Sequence, residues 1–364
     1  MKIAVFHELP PGGARIAVNE IAKRLKKKHA VDLYVVDEQK NPNEKNFYST
    51  IHFYQFIPKV WEGNNWKIRI YKDTIELFRL FLLNKRIAED SKKNQYDLLF
   101  VHASRFIESP FILRFPNVQK IFYLHDPHDR SVYEQDLITQ TKSDIFRRLY
   151  AFFNRSIRKM LDKQNLDGAD FFLANSRFTQ KMFQKTYGKK SSVAYLGVDT
   201  DFFTPKRVEK IYDILYIGSR QPVDGYDLLT QSLGLMKRQP AVKTVFFEDE
   251  WLSRETMRDL YRRSKIVLAL SHNEPFGLVP LEAMACGVPI IALNEGGYSE
   301  SVLDKKTGYL ISKNAKELAE KIYFLLTNKA SREKMGVIAK IYVEKNWNFE
   351  KRVTELENLL QKII

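Results

Sequence analysis

The first forty residues alternate apolar segments with a glycine-containing loop, and few folds accommodate that order. Residues 2–8 (KIAVFHE) and the segment AVDLYVVDE predict strands, and RIAVNEIAKRLKKK between them has apolar residues at helical spacing. Strand, loop LPPGGA, helix and strand form a βαβ unit, which predicts a parallel sheet covered by helices. YDLLFVHA (96–103), QKIFYLHD (119–126) and ADFFLANS (169–176) predict further strands of this sheet. Ligands bind at the carboxyl ends of such strands.

A second series of the same kind begins near Ile211. The strands YDILYIGS, VKTVFFED, KIVLALS and VPIIALN alternate with helical segments. Residues 196–210 (LGVDTDFFTPKRVEK) contain proline and mixed charges and are interpreted as a linker. A length of 364 residues suits two cores. We predict an α/β protein with Rossmann-like domains at 1–205 and 206–345, and a C-terminal helix at 346–364 that packs back towards the first domain.

Composition narrows the class of protein. Hydrophobic residues make up 44% of the chain and charged residues 28%, as in ordinary soluble proteins. The single cysteine, Cys286, excludes an intrachain disulfide, fits a reducing compartment and is interpreted as a small buried residue. The N-terminal apolar segment is too short for a signal peptide, and no segment approaches the length of a membrane span. These features predict a cytoplasmic protein.

The net charge of +15 favours anionic partners: nucleic acid, anionic lipid or phosphorylated substrates. A solvated basic surface is the plainer alternative. Nucleic acid is disfavoured because neither zinc-finger spacing nor an RNA-binding aromatic motif is present. Residues 143–163 (SDIFRRLYAFFNRSIRKMLDK) can form a basic amphipathic helix. Such a helix either packs on its own domain or docks on anionic lipid.

The stretch HNEPFGLVPLEAMACG places two carboxylates, Glu274 and Glu282, on either side of a turn that contains Gly277. Pro280 suits the first turn of a helix. Backbone N–H groups at a helix start have no internal partner, so they can bind an anion. Glu282, in the first turns, can accept hydrogen bonds from a pair of sugar hydroxyls. The spacing therefore indicates a site for a sugar and an anionic group.

Several segments together resemble the retaining GT-B glycosyltransferases of the Glu-x7-Glu type (glycosyl transferases group 1, family 4-like), which use nucleotide-sugar donors. They are NEPFGLVPLEAMACGVPIIALNEGGYSESV with TGYLI, FLANSRFTQKMFQKTYG, AYLGVDTDFFTP and YIGSRQPVDGYDLL. The N-terminal glycine loop and FYLHDPHDR are similar to the family less specifically. The resemblance implies two Rossmann-like domains facing across a cleft, with C-terminal helices closing the chain.

The resemblance also implies roles for residues of the second domain. Glu282 would hold the ribose hydroxyls of the nucleotide, and Glu274 would contact the transferred sugar as a catalytic residue. Backbone N–H groups around Phe276, Gly277 and Leu278 would fix the sugar and phosphate. Because the leaving diphosphate gains charge in the transition state, fixed donors aimed at it lower the barrier.

In the first domain, Gly12 and Gly13 would let their loop approach the diphosphate from the opposite domain. His125 resembles the family's active-site histidine and could polarise the sugar or orient the acceptor. A hydrogen-bonded histidine at a strand end is the alternative. His128 is a neighbouring candidate. His102 occupies a similar strand end, where we expect a packing or acceptor-side role.

Two departures from the family pattern concern the donor domain. The family places an arginine and then a lysine in its first loop to clamp the diphosphate. Here Arg220 can serve as the arginine, whereas Asp224 stands where the lysine is expected. Repulsion between this carboxylate and a diphosphate would impair donor use unless Arg15 or Arg220 compensates. The domain is also apparently short by one βα unit between Gly225 and Glu274.

Two acidic segments carry weaker signals. Glu300 resembles a family acid near the nucleotide pocket, but a place at a helix N-terminus is equally compatible with its sequence. The Asp-x-Asp pattern at 199–201 matches a metal-binding motif of a different glycosyltransferase fold. Here it belongs to the linker match, and we predict no metal.

These features together predict a retaining, metal-independent hexosyltransferase that needs no cofactor. Its predicted donor is a nucleotide diphosphate sugar, with UDP or GDP as the nucleotide, and its predicted acceptor is a hydroxyl of a glycolipid, polysaccharide or other glycoconjugate. An anionic membrane surface on the cytoplasmic side is a predicted partner; nucleic acid is not. The alternatives are a non-catalytic or impaired nucleotide-sugar-binding relative and a GT-B nucleotide-sugar epimerase.

Overall fold

A computed structural model describes residues 1–58, 70–115, 118–126, 145–249 and 252–363. The chain divides into two compact units. The N-terminal unit comprises Met1–Asn175, Gln180–Ala194 and Leu356–Ile364. The C-terminal unit comprises Ser176–Thr179 and Tyr195–Glu355, so it contains the segment that the sequence suggested as a linker.

The described part of the N-terminal unit contains a parallel sheet of seven strands in the order β3-β2-β1-β4-β5-β6-β7. The apolar segments predicted as strands from the sequence are confirmed. Short strands β3 and β7 were not predicted, because their residues lack a long apolar run. The strands are β1 (Lys2–Glu8), β2 (Ala30–Asp37), β3 (Thr50–Gln55), β4 (Leu98–Ser104), β5 (Gln119–Leu124), β6 (Phe171–Ala174) and β7 (Ser192–Val193).

Helices flank this sheet because their apolar residues recur at helical spacing. In the first helix, Val18, Ile21, Ala22 and Leu25 are buried. The helices are α1 (Gly13–Leu25), α2 (Leu77–Lys92), α3 (Ile145–Leu166) and α4 (Arg177–Tyr187). The helix predicted at 143–163 corresponds to α3, and residues 143 and 144 lie outside the described part. No helix among the described residues is long and apolar enough to cross a membrane.

The C-terminal unit contains a second parallel sheet, with the order β12-β11-β10-β8-β9 among its described residues. Its strands are β8 (Tyr212–Gly218), β9 (Val242–Phe246), β10 (Ser264–Ala269), β11 (Ile290–Leu293) and β12 (Gly308–Ile311). Its helices are α5 (Tyr226–Gly234), α6 (Arg254–Arg263), α7 (Leu278–Ala285), α8 (Tyr298–Ser301), α9 (Ala315–Thr327) and α10 (Lys329–Asn346).

The last helix, α11 (Phe349–Ile363), begins in the C-terminal unit, and its final turns belong to the N-terminal unit. Within the N-terminal unit, the carboxylate of Glu357 accepts hydrogen bonds from Lys28 Nζ at 2.8 Å and His29 Nε2 at 3.0 Å. The Gln119 side chain donates to the backbone oxygen of Ile363 at 3.0 Å. These polar contacts fix the end of the chain.

Each sheet has a switch point, which is the place where the strand order reverses. β1 lies between β2 and β4 in the first sheet, and β8 lies between β9 and β10 in the second. Loops that leave the two strands at such a point run in opposite directions and open a crevice at the carboxyl ends. The candidate site residues follow these strands or their neighbours.

Candidate functional site

The loop after β10 carries Glu274, whose half-buried carboxylate lies beside the backbone N–H groups of Gly277 and Phe276, which oppose the rise in its pKa. Burial and then the negative charge of Asp224 raise the pKa of Glu274 to about 7. The N–H groups predicted to fix sugar and phosphate thus lie close to the Glu274 carboxylate. N–H groups at the start of the following helix can bind an anion.

Glu282 lies on α7, which begins at Leu278 directly after the turn. Tyr261 Oη donates to a carboxylate oxygen of Glu282 at 2.8 Å. Burial raises the pKa of Glu282 to about 7, and the tyrosine bond and the charge of Arg254 oppose that rise. Tyr261, 21 residues away on α6, was missed in the sequence because no pattern marks such a pairing.

Gly277 has φ of +86°, a left-handed conformation that glycine adopts without strain. A Cβ atom there would lie 2.5 Å from the ring of Tyr298. Tyr298 is 4% exposed, and burial together with the charge of Glu274 raises its pKa well above the ordinary value. The turn therefore packs on an aromatic ring that the sequence analysis did not single out.

Asp224, which replaces the expected lysine, closes the loop after β8. One carboxylate oxygen accepts from the Ser219 backbone N–H at 2.9 Å and from the Ser219 hydroxyl, and the other accepts from Ser271 Oγ at 2.9 Å. The carboxylate thus joins the two loops at the switch point of the second sheet. Its negative charge still acts on Glu274.

Arg220 extends from the same loop towards β9. Its guanidinium donates two hydrogen bonds to Asp249, at 2.8 and 2.7 Å, and lies 3.9 Å from the centroid of the Phe246 ring. The side chain is half exposed. Arg220 is therefore occupied by a neighbouring carboxylate in the free protein, and a diphosphate would have to compete with Asp249 for it.

The loop after β11 borders the Glu274 turn. Glu295 Oε1 accepts from His272 Nδ1 at 2.7 Å and from the Asn273 backbone N–H at 2.9 Å. The Gly297 N–H donates to the backbone oxygen of Glu274 at 2.8 Å. Glu274 and Glu295 both lie within the segment NEPFGLVPLEAMACGVPIIALNEGGYSESV that resembles the family, but no residue pattern there predicts this pairing.

Glu300 accepts hydrogen bonds from the backbone N–H groups of Arg177 and Phe178, at 3.0 and 2.8 Å, and from Tyr195 Oη at 2.7 Å. Arg177 is the first residue of α4, and Arg177 and Phe178 belong to the C-terminal unit, as Glu300 does. Of the two roles compatible with its sequence, the structure thus shows Glu300 at a helix N-terminus, where a carboxylate is favourable. This helix is α4 and not the short helix that contains Glu300.

In the N-terminal unit, three histidines lie at the carboxyl ends of neighbouring strands: His7 near the end of β1, His102 near the end of β4, and His125 directly after β5. His102 Nδ1 and His125 Nε2 are 2.9 Å apart, and Asn175 donates to the backbone oxygen of His125 at 2.6 Å. His7 and His102 are fully buried, and His125 is 8% exposed. Burial, followed by neighbouring positive charges, lowers the pKa of His7 and of His102 well below the ordinary value. His128 lies outside the described residues.

The loop after β1 leads into α1 through Gly12 and Gly13. Gly13 is exposed at the first turn of α1, so the N–H groups there can bind an anion. Arg15, considered as a substitute phosphate contact, is 5% exposed and is paired with Asp37 and Glu44. Two carboxylates of its own unit thus neutralise this guanidinium.

The acidic pair of the Asp-x-Asp pattern, Asp199 and Asp201, precedes β8 in the chain. The Asp199 carboxylate accepts from the Phe202 N–H at 3.2 Å, and it lies 3.5 Å from Arg254. Within the ranges that the structure describes, histidine, cysteine and acidic side chains form no group of three or more suited to a metal ion. Cys286 is buried, as predicted.

Two family models match the chain. The model described as Glycosyltransferase Family 4 matches residues 11–202, more than half of the chain, and the model described as Glycosyl transferases group 1 matches residues 250–341. The first match overlaps the N-terminal unit, and the second includes the Glu274 turn and α7. The resemblance inferred from the residues is therefore confirmed at the level of the family.

Two curated relatives show the level of sequence identity between this chain and individual proteins. A D-inositol 3-phosphate glycosyltransferase from Paenarthrobacter aurescens is 28% identical over 225 residues, which cover 50% of this chain and 55% of that protein. An alpha-1,3/1,6-mannosyltransferase from Dictyostelium discoideum is 26% identical over 236 residues, covering 62% and 54%. The chain spans about half the length of the curated relatives it matches.

Solved structures confirm the predicted fold. A sucrose-phosphate synthase from Thermosynechococcus elongatus is similar with a TM-score of 0.73 at 18% identity, covering 100% of this chain and 99% of that one. The Anabaena protein HepE, in complex with UDP and glucose, gives a TM-score of 0.71 at 18% identity and covers 99% of each chain. The fold is GT-B, and this chain belongs to Glycosyltransferase Family 4.

Proposed function

We propose that the protein transfers a sugar from a nucleotide diphosphate sugar to a hydroxyl acceptor, with retention of anomeric configuration and without a required metal. One observation carries this proposal. Glu274 and Glu282, both with a pKa near 7, lie around one turn and helix start at the switch point of the second sheet. Crevices of this kind bind nucleotides in open α/β sheets.

Each acid has a distinct proposed role. Glu282, held by Tyr261, accepts hydrogen bonds from the ribose hydroxyls of the nucleotide. Glu274 binds hydroxyls of the transferred sugar, and the neighbouring N–H groups of Phe276 and Gly277 bind the sugar and phosphate. The start of α7 at Leu278 adds the positive end of a helix dipole to the diphosphate side.

Transfer itself breaks the bond between the anomeric carbon and the diphosphate oxygen, and that oxygen keeps the electron pair. The acceptor oxygen forms the new bond to the anomeric carbon, and its proton passes to the leaving diphosphate. Donors that already point at the diphosphate stabilise its growing charge without reorganising, which accelerates the step. Arg220 joins them if the diphosphate displaces Asp249.

In the N-terminal unit, we assign Gly12 and Gly13 to diphosphate binding and His125 to catalysis, where it polarises the sugar or orients the acceptor. The exposed helix start at Gly13 and the fixed ring of His125 support these roles. UDP is the first nucleotide to test because the Anabaena structure holds UDP and glucose. GDP is the second, since it was favoured equally by the sequence.

For the acceptor, we propose a hydroxyl of a glycolipid, polysaccharide or other glycoconjugate, used at the cytoplasmic side of a membrane. The net charge of +15 supports attraction to anionic lipid. On α3, Ile157 and Met160 are about half exposed, so apolar side chains there are available for contact. Binding to vesicles with and without anionic lipid tests the membrane part separately.

Thermal stabilisation by nucleotides tests the donor site. UDP, GDP, ADP and their hexose conjugates are added to wild type, to Glu282→Ala and to Glu300→Ala as a control in the same unit. We expect a shift with one nucleotide that is lost in Glu282→Ala and kept in Glu300→Ala. Absence of a shift with every nucleotide would contradict the proposal. Transfer that continues in excess EDTA supports metal independence.

A second candidate function is nucleotide-sugar binding without transfer. Asp224 near Glu274 and the pairing of Arg220 with Asp249 favour it, because both weaken the positive field that a leaving diphosphate needs. Donor hydrolysis or transfer that disappears in Glu274→Ala would exclude this candidate. Tight binding with no turnover across many acceptors would establish it.

A further inference from the structure

His272 connects three loops at the carboxyl edge of the second sheet. Its backbone N–H donates to Val223 O at 2.6 Å, in the loop after β8, and its Nδ1 contacts Glu295 Oε1 at 2.7 Å, in the loop after β11. In the part of the chain that the structure describes, Nε2 of this ring is buried without a polar partner. Glu295 is thus the polar contact that orients the ring.

The same Glu295 oxygen also holds the backbone of the next residue. It accepts from the Asn273 N–H at 2.9 Å, and Asn273 has φ of +51°. A left-handed conformation in a residue other than glycine is unfavourable by itself, so surrounding contacts must maintain it. Glu295 supplies such a contact immediately before Glu274.

Two glycines of the same loop approach the turn closely. A Cβ on Gly296 would lie 2.4 Å from Glu274 O, and a Cβ on Gly297 would lie 2.5 Å from atoms of the Phe276 backbone. The Gly297 N–H also donates to Glu274 O. The loop after β11 therefore holds the backbone before Glu274 through Glu295 and the backbone after it through the glycines.

We propose that Glu295 and His272 are positioning residues that hold the Glu274 turn in the geometry that binds the transferred sugar. This inference rests on the proposed role of Glu274. Neither residue needs to touch the substrate. Their effect passes through the backbone of Asn273, which sets where the Glu274 carboxylate and the following N–H groups point.

The position of this pair makes its effect selective. Glu282, assigned to the ribose, lies on α7 and is held by Tyr261, so it does not depend on Glu295. Loss of the pair should impair the sugar end of the site and spare the nucleotide end. A displacement of about 1 Å at a reacting group can reduce rate by about 100-fold.

The experiment compares Glu295→Ala, Glu295→Gln and His272→Ala with Glu357→Ala. The control removes another histidine–glutamate contact, between His29 and Glu357 at 3.0 Å in the N-terminal unit. For each protein, the dissociation constants of UDP and UDP-glucose and the kcat of sugar transfer or donor hydrolysis are measured. GDP and GDP-mannose replace them if wild type prefers guanosine.

In Glu295→Ala we expect UDP affinity within about twofold of wild type, kcat lower by roughly 10- to 100-fold, and loss of the extra affinity that the sugar gives UDP-glucose. Glu295→Gln keeps an oxygen that can accept from Asn273, so it should recover part of both losses. Glu357→Ala should match wild type. Equal loss of UDP and UDP-glucose binding, or no loss of either, would overturn the inference.

Hydrogen exchange of residues 272–278, measured without nucleotide, tests the positioning role even if wild type binds no nucleotide sugar. Failure of wild type to bind would refute the proposed function, whereas exchange reports only on the turn. Faster exchange in Glu295→Ala than in wild type, confined to this segment, supports positioning. Unchanged exchange would overturn it.

Discussion

The two switch points of the molecule differ in chemistry although their strands are arranged alike. In the N-terminal unit, fully buried His7, Glu8 and His102 line the ends of β1 and β4, and their polar atoms contact other side chains or lie buried. In the C-terminal unit, Glu274 and Glu282 are only half buried and lie beside a helix start. The carboxyl ends of the strands in the N-terminal unit, called here the N-terminal edge, are closed by packing. The carboxyl ends of the strands in the C-terminal unit, called the C-terminal edge, present carboxylates and N–H groups.

This difference indicates which of the two edges is chemically suited to a sugar donor. Buried neutral groups fix geometry, whereas half-buried acids beside backbone N–H groups at a helix start can exchange their internal contacts for those of a ligand. We therefore expect substitutions at the C-terminal edge to change donor binding and transfer, and substitutions of His7, Glu8 and His102 to change stability first.

The largest effect should come from Glu274→Gln. The amide cannot reproduce a carboxylate that accepts hydrogen bonds from two sugar hydroxyls, so kcat should fall by roughly 100- to 1,000-fold. The control is Glu255→Gln, which changes an exposed acid on α6. Steady-state transfer with saturating donor is the measurement. Activity within threefold of wild type would show that the C-terminal edge is not the reactive one.

A smaller but clear effect should follow from Gly277→Ala. The new Cβ would lie 2.5 Å from the Tyr298 ring and would require φ near +86°. We expect a loss of about 1–3 kcal/mol in the free energy of unfolding, together with weaker donor binding.

The matched control for this change is Gly234→Ala, because a Cβ there meets no atom within 4 Å at the end of α5. That substitution should be neutral or stabilise by up to about 1 kcal/mol. Urea unfolding of both variants measures the difference. Equal midpoints for the two would mean that the turn rearranges freely and is not held by Tyr298.

Much of the fold could be predicted from the sequence, because long apolar strands and helical spacing are local signals. Lys2–Glu8 is predicted to the residue, because a central parallel strand is apolar on both faces. The contacts that complete the site could not be predicted from the sequence. Tyr261 with Glu282, Glu295 with His272 and Glu300 with α4 join residues distant in the chain, and no periodicity records such pairs.

The interpretation of Asp224 illustrates the same limit. The residue type alone indicated repulsion of a diphosphate, whereas the structure shows a carboxylate that joins two loops through Ser219 and Ser271. Its charge and its hydrogen bonds are separate effects, and a sequence gives only the first. Replacing the charge while keeping an acceptor oxygen can separate them.

Asp224→Asn should shift the pH dependence of donor use. The charge of Asp224 raises the pKa of Glu274, so its removal should lower the pKa of Glu274 from about 7. Because the proposed role of Glu274 requires its ionised form to accept the sugar hydroxyls, kcat/KM for the donor should rise at lower pH, with its midpoint moved by up to about one unit. Asp227→Asn, at an exposed position on α5, is the control. An unmoved midpoint in Asp224→Asn would contradict this coupling.

The smallest expected effect concerns Glu8 at the N-terminal edge. Asn84 donates to its carboxylate at 2.8 Å, and burial raises the pKa of Glu8 to about 7 from an ordinary value of 4.5. The folded protein therefore binds a proton that the unfolded chain releases between these values. Stability from this group is complete below pH of about 4.5 and is lost as pH rises through about 7.

Glu8→Gln removes that titration but keeps the shape and the oxygen that faces Asn84. Relative to wild type, the melting temperature of Glu8→Gln should rise between pH 5 and pH 8, because only wild type must ionise a buried carboxyl. Glu89→Gln, an exposed change on α2, should show no such trend. A constant difference between Glu8→Gln and wild type across this range would mean that Glu8 is ionised in the folded protein. The N-terminal edge would then carry charge as the C-terminal edge does, and the contrast between the two switch points would fail.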